Sequence, residues 1–125
     1  MIEIHPLREK EELAKLYVEN NVKMNKDSMA VVCADGVEIL GFCLFDMLDN
    51  SLVVHSLEPK NDLYLADGIL RSALHVGVEN RIMSAFYSEN APEDVFSKLK
   101  FIKNSENKEL NVDKLFSSCK NCDIT

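Results

Sequence analysis

Residues 52–87 read LVVHSLEPKNDLYLADGILRSALHVGVENRIMSAFY, and three segments of different type follow one another there. Leu52–Leu57 is an apolar run typical of a strand, and the polar residues 58–62, with Pro59 among them, break that pattern. From Leu63 to Glu79 apolar residues recur at helical spacing over a wide arc, which predicts a sandwiched helix. Because Ile82–Tyr87 is again typical of a strand, the stretch predicts a strand, a long helix and a strand.

The residues before this stretch predict four further elements. Met1–His5 alternates as a short strand does, and Glu9–Asn20 has apolar residues at helical spacing with acids at its N-terminal end. Residues 20–27 fit a short helix or a loop equally well. Met29–Cys33 and Val37–Met47 flank a tight-turn dipeptide, so they predict a hairpin that forms a meander with the strand from Leu52.

After Tyr87 the predicted elements are short. Pro92 suits the first turn of a helix that runs to Leu99. A strand begins at Phe101, Glu109–Val112 pairs with it, and Asp113–Ser118 forms a last helical turn. We expect one domain over residues 1–118, followed by a tail, residues 119–125.

Composition and charge narrow the classes of function. With 46% hydrophobic and 28% charged residues, the chain has the balance of a folded globule. Its net charge of −7 would repel a nucleic-acid backbone and attract a cationic amine. No apolar run approaches the roughly 20 residues that span a bilayer, and no signal segment is evident, so we expect neither nucleic acid nor membrane as a partner and a cytoplasmic location.

The cysteines fall into two groups. Cys33 and Cys43 lie in apolar runs, where reduced, buried thiols are expected. Cys119 and Cys122 form a CxxC pair, but no second ligand pair lies at zinc-finger spacing. We therefore expect a solvated tail with reactive thiols and no metal site, and metal or redox function is the minor alternative.

The stretch Asn90–Phe101, NAPEDVFSKLKF, resembles the GNAT family of N-acetyltransferases, which carries an Asn, a short helix and then Tyr-x-Lys-Leu-Gly-Phe. The order of predicted elements is also similar to that of the family over nearly the whole chain. The resemblance implies an α/β (α+β) fold, with a mixed, mostly antiparallel central sheet and helices on both faces. Phe96 stands where the family has the tyrosine that protonates the leaving thiolate, and Lys100 stands where it has glycine.

The resemblance also implies a site for acetyl-coenzyme A as cosubstrate. The family's Arg/Gln-x-x-Gly-x-Gly/Ala loop, which binds the pyrophosphate, is absent between the fourth strand and the long helix. The start of that helix would still hold a phosphate. The expected cofactor-binding residues are Leu57, Lys60, Asn61, Asp62, Leu63, Tyr64 and Asn90.

Three residues are catalytic candidates under this resemblance. His55 lies in the fourth strand, where the family opens its fourth and fifth strands, and Glu58 ends that strand, so either is a candidate base for an amine. Glu58 is the better candidate by position if the amine enters from the C-terminal side of the strand. Tyr87 ends the fifth strand and is a candidate acid in place of Phe96. A hydrogen-bonded strand histidine and a packed tyrosine are the ordinary structural interpretations of the same residues.

Two functions remain open from the sequence. The first is an N-acyltransferase that moves an acetyl group from acetyl-coenzyme A to an amine of a small molecule or peptide. The second is a GNAT-like domain without catalysis that serves as a binding or assembly module, with a homodimer through a strand edge or the tail. Phe96 and the missing glycine loop favour the second.

Overall fold

The computed structural model describes residues 2–116, which form a seven-stranded sheet and three helices. The strands are β1 Ile2–Pro6, β2 Ser28–Asp35, β3 Glu38–Met47, β4 Leu52–Glu58, β5 Ala85–Tyr87, β6 Ile102–Asn104 and β7 Glu109–Leu110. The helices are α1 Lys10–Glu19, α2 Leu63–Glu79 and α3 Glu93–Lys98. The prediction for Cys119 and Cys122 lies outside the described residues.

The sheet order is β1-β2-β3-β4-β5-β7-β6. Only the pair β4 and β5 is parallel among these neighbours, because α2 carries the chain back across the sheet between them. The expected mixed, mostly antiparallel sheet is therefore confirmed.

Two apolar clusters cover the two faces of the sheet. On one face, Leu13, Leu16 and Tyr17 of α1 pack on β2 and β3. On the other, α2 and α3 pack on the opposite side chains of the same strands and on β4 and β5. Helices on both faces are thus confirmed, and along residues 2–116 none of them is long and apolar enough to cross a membrane.

All three helices end in the same backbone motif. After α2, the N–H of Ile82 donates to the carbonyl of Gly77 at 2.8 Å, and Arg81 between them has a positive φ of 64°. Asn21 after α1 and Lys100 after α3 occupy the equivalent position, with φ of 57° and 62°. These are Schellman ends, in which glycine is the usual left-handed residue. Lys100 departs from the family glycine, yet it still adopts that conformation.

This motif corrects the prediction that the fifth strand begins at Ile82. Residues 80–82 close the end of α2 through backbone bonds to Gly77 and Val78, so they are not available to a sheet. The strand begins only at Ala85. Residues 20–27 contain turns and no helix, which decides between the two alternatives left open by the sequence.

Candidate functional site

Strands β4 and β5 separate halfway along β4. Only Leu52, Val53 and Val54 pair with β5, and the last bond runs from the N–H of Ser88 to the carbonyl of Val54 at 2.9 Å. Beyond it β4 continues to Glu58, while the chain after β5 turns into α3. An opening between the strands follows, and the backbone of β4 faces it.

A one-residue bulge in β4 lies at this opening. Phe45 of β3 pairs with Val54 and Leu44 pairs with Ser56, so His55 is the extra residue. The bulge lets Val54 and Leu57 enter the same core although they are three apart. It also leaves His55 beside Asp46, on the α1 face of the sheet.

A cleft of about 840 Å³ occupies this face beside the opening. The α1–β2 connection forms one wall, and β3, β4, the start of the β4–α2 loop and the residues after β5 form the rest. Its lining residues are Asn20, Asn21, Val22, Lys23, Asn25, Asp46, His55, Ser56, Glu58, Lys60, Ser88 and Asn90. With one apolar side chain among them, the described lining is suited to a polar ligand.

Asp46 is the buried anion of the cleft. Its carboxylate accepts hydrogen bonds from Ser28 Oγ at 2.8 Å and from Asn25 Nδ2 at 3.2 Å. The third contact is with His55 Nε2 at 3.0 Å. A buried carboxylate is stable only when such partners satisfy it, and here they come from two separate parts of the chain, residues 25–28 and β4.

The contact with Asp46 orients the imidazole of His55. A carboxylate beside Nε2 favours the tautomer that carries its proton there, which leaves the lone pair on Nδ1. Nδ1 has no hydrogen-bond partner among residues 2–116. The pair has the arrangement of a carboxylate and a histidine base, and the same carboxylate would stabilise the imidazolium after proton uptake.

Gly41 of β3 allows the start of the β4–α2 loop to pack directly against the backbone of β3. A Cβ there would lie 2.6 Å from the carbonyl oxygen of Glu58 and 2.8 Å from Cδ of Pro59. Only a residue without a side chain allows this approach, so β3 fixes the backbone from which Glu58 and Lys60 enter the cleft. Glu58 and Lys60 form an ion pair at 3.3 Å.

The N-terminus of α2 already carries a carboxylate. Asp62 is the N-cap, and its Oδ1 accepts the N–H of Leu65 at 3.1 Å. Leu63 and Tyr64 after it are exposed. The open edge of β4 fits the amide-bearing arm of coenzyme A, but the capped helix end does not fit its pyrophosphate, because a second anion there would be repelled.

Tyr87 is nearly buried, and its hydroxyl donates to Oε2 of Glu93 at 2.6 Å. Its ring packs on Phe96 with centroids 5.1 Å apart. Burial, and then the nearby carboxylate of Glu93, raise the pKa of Tyr87 to about 12. Its role as the acid stays a prediction, and the raised pKa makes it a weaker proton donor.

The structure brings together some of the predicted site residues. His55, Glu58, Lys60 and Asn90 line the cleft. The side chain of Leu57 belongs to the core, which leaves its backbone for binding, and Asn61, Asp62, Leu63 and Tyr64 surround the start of α2. Sequence reasoning missed Asp46, although a carboxylate inside the apolar run 40–47 was a signal of a buried polar network.

Solved structures with a similar fold are acetyltransferases. A ribosomal-protein-alanine N-acetyltransferase from Brucella melitensis biovar Abortus 2308 is 14% identical, with a TM-score of 0.57 over 80% of this chain and 89% of that one. A protein assigned to the GNAT family of acetyltransferases from Desulfovibrio desulfuricans is 8% identical, with a TM-score of 0.53 over 70% and 72%. An aminoglycoside 6'-N-acetyltransferase from Enterococcus faecium is 12% identical, with a TM-score of 0.51 over 68% and 59%.

The similarity lies in the fold and not in the sequence. No protein-family model matches the chain, and no curated protein matches it in sequence. The expectation drawn from the residue pattern is nonetheless confirmed at the level of architecture: the chain has a GNAT-like fold.

Proposed function

We propose that this chain is an N-acyltransferase that acylates an amine in the cleft on the α1 face of the sheet. The observation that carries the proposal is the Asp46–His55 pair at the point where β4 and β5 separate. Acetyl-coenzyme A would supply the acyl group as a thioester. The solved structures with this fold include enzymes named for an aminoglycoside and for a ribosomal-protein alanine, which supports a small-molecule or peptide amine as acceptor.

Some residues of the cleft bind the amine and others remove its proton. Asp46 and Glu58 attract the ammonium form, and the net charge of −7 assists its approach. His55 Nδ1 accepts the proton that the amine must lose, while Asp46 holds Nε2–H and stabilises the imidazolium. Glu58, the other predicted base, is paired with Lys60, so we assign it to binding.

Variants at the pair test this role. We expect His55→Gln to lower kcat by about 10²–10⁴-fold, the usual contribution of a general base. Asp46→Asn keeps the shape but loses the charge, and we expect a reduction of about 10–100-fold. His75→Gln, an exposed histidine on α2, is the matched control and should act as wild type.

The assay measures the acetylation of a panel of amines through the release of the coenzyme A thiol. Equal rates for wild type and His55→Gln would refute the assignment of the base. Failure of every amine, with no rise of Tm at millimolar acetyl-coenzyme A, would favour the second function below.

The second candidate is a binding module without catalysis. Two observations favour it: Asp62 occupies the end of α2 that would face the pyrophosphate, and Phe96 is fully buried in the core. Asp62→Ser separates the two functions, because serine keeps the cap and removes the charge. An acyltransferase should bind acetyl-coenzyme A several-fold more tightly after this change, whereas a module that uses no coenzyme A should show no binding in either form.

A further inference from the structure

The loop between β4 and α2, residues 58–62, offers an anion few backbone donors. Its sequence, EPKND, contains no glycine, and Pro59 has no N–H. The carbonyl of Glu58 lies so close to Gly41 of β3 that a Cβ there would be 2.6 Å away, so the start of the loop is held in place. A phosphate is bound by successive N–H groups that can approach it closely, and Pro59 interrupts that series.

The charges around this loop are also unfavourable to an anion. Residues 58–64 carry two acids and one lysine, which gives a local net charge of −1. Lys60 is paired with Glu58 at 3.3 Å, and Asp62 accepts the N–H of Leu65 at 3.1 Å as the N-cap. The cation of the loop and the positive end of the α2 dipole are therefore each matched with a carboxylate of this chain.

The edge of β4 beside this loop has the opposite character. Val54 is the last residue of β4 that pairs with β5, and the strand continues through residues 55–58. Within residues 2–116 no other strand pairs with that side of the extension. Its backbone N–H and carbonyl groups can therefore bind an extended chain that carries amide groups, as the edge of a sheet does.

We propose that this chain recognises its acyl donor through the pantetheine arm alone, so that an acyl thioester of pantetheine serves as well as acetyl-coenzyme A. This donor recognition depends on the proposed acyltransferase function. The pantetheine arm is uncharged and carries amide groups, which suit the open edge of β4. The nucleotide half of coenzyme A carries all of its phosphates, and a chain with a net charge of −7 repels it.

The reaction is the same for both donors. The C–N bond to the amine forms as the C–S bond of the thioester breaks, and the proton that His55 accepts from the amine passes to the released thiolate. An acyl thioester and an amine thus give an amide and a thiol, with no further reactant. Since the two donors differ only in the nucleotide half, the ratio of their kcat/KM values measures what that half contributes.

A comparison of acetyl-pantetheine with acetyl-coenzyme A on the full chain is the first test. We expect the two kcat/KM values to agree within about threefold at about 0.15 M salt, where long-range repulsion is screened. One hydrogen bond to a charged phosphate is worth about tenfold or more, so a preference of that size for acetyl-coenzyme A overturns the donor recognition and leaves the acyltransferase function intact. Turnover of neither donor overturns both.

Binding measured by calorimetry supplies a readout besides activity. Asp62→Ser keeps the N-cap and removes its charge, so we expect the ratio of the two affinities to shift several-fold toward acetyl-coenzyme A. Asp49→Ser, an exposed change in the turn at the other end of β4, is the matched control and should leave the ratio as in wild type.

The nucleotide half can also be tested by itself. We expect 3'-phospho-ADP not to bind the wild-type chain at millimolar concentration, whereas acetyl-pantetheine binds. Saturable binding of 3'-phospho-ADP would overturn the proposal, and so would an Asp62→Ser variant that binds both donors in the wild-type ratio.

Discussion

Replacing Gly41 by alanine tests whether the loop after β4 is as close to β3 as the structure places it. The added Cβ would lie 2.6 Å from the backbone oxygen of Glu58, 2.8 Å from the ring of Pro59 and 2.7 Å from Cδ1 of Ile69. Only the last atom belongs to a flexible side-chain end, so the loop backbone itself must move. We expect a cost near the upper end for overpacking, about 2–3 kcal/mol.

For a chain of this size, that cost lowers Tm by about 8–12 °C in calorimetry or thermal circular dichroism. Gly68→Ala, inside helix α2, is the matched control. The added Cβ there would meet only Cδ1 of Ile4, at 3.5 Å. Helix propensity predicts a gain of about 0.5–1 kcal/mol there. Both changes restrict the unfolded chain equally, so their difference measures the contact. If Gly41→Ala melts at or above Gly68→Ala, the close approach is refuted.

Two further predictions concern backbone and protonation. Lys100 is a left-handed residue with φ of 62° after α3, so we expect Lys100→Gly to raise the free energy of unfolding by about 1 kcal/mol. Lys98→Gly, at the last residue of α3, should lower it, because glycine is a poor helix former. Because the pKa of Tyr87 is raised to about 12, its protonated form stabilises the fold below about pH 10. That contribution is lost as the pH rises through 12, and a wild-type curve parallel to that of Tyr87→Phe in urea titrations between pH 9 and 12 would contradict it.

Much of the fold was predictable because its elements are locally encoded. The helical spacing of 63–79 and the hairpin around Gly36 each depend on neighbours in the sequence, and both are present. The prediction that β5 begins at Ile82 was wrong because residues 80–82 complete the end of α2. Ile82 and Met83 are apolar, as is typical of a strand, but the bond from the N–H of Ile82 to the carbonyl of Gly77 keeps Ile82 in the helix end.

The cleft was predictable only in part. His55 and Glu58 were identified from their place in the chain order, but Asp46 acts through Ser28, 18 residues away, and His55, nine residues away. No local pattern encodes such contacts. The bulge at His55 was visible in retrospect, since Val54 and Leu57 are both apolar in a strand where residues three apart face opposite sides.

The bulge at His55 also sets which sequence changes this site can tolerate. A substitution at His55 alters one side chain and leaves the alternation of β4 intact. Deletion of the same residue would remove the bulge and leave a regular ladder, in which Ser56 stays opposite Leu44 and Leu57 stays in the core with Val54. The histidine of the cleft can therefore be lost by substitution or by deletion without a change of register between β3 and β4, and only the deletion also makes β4 regular.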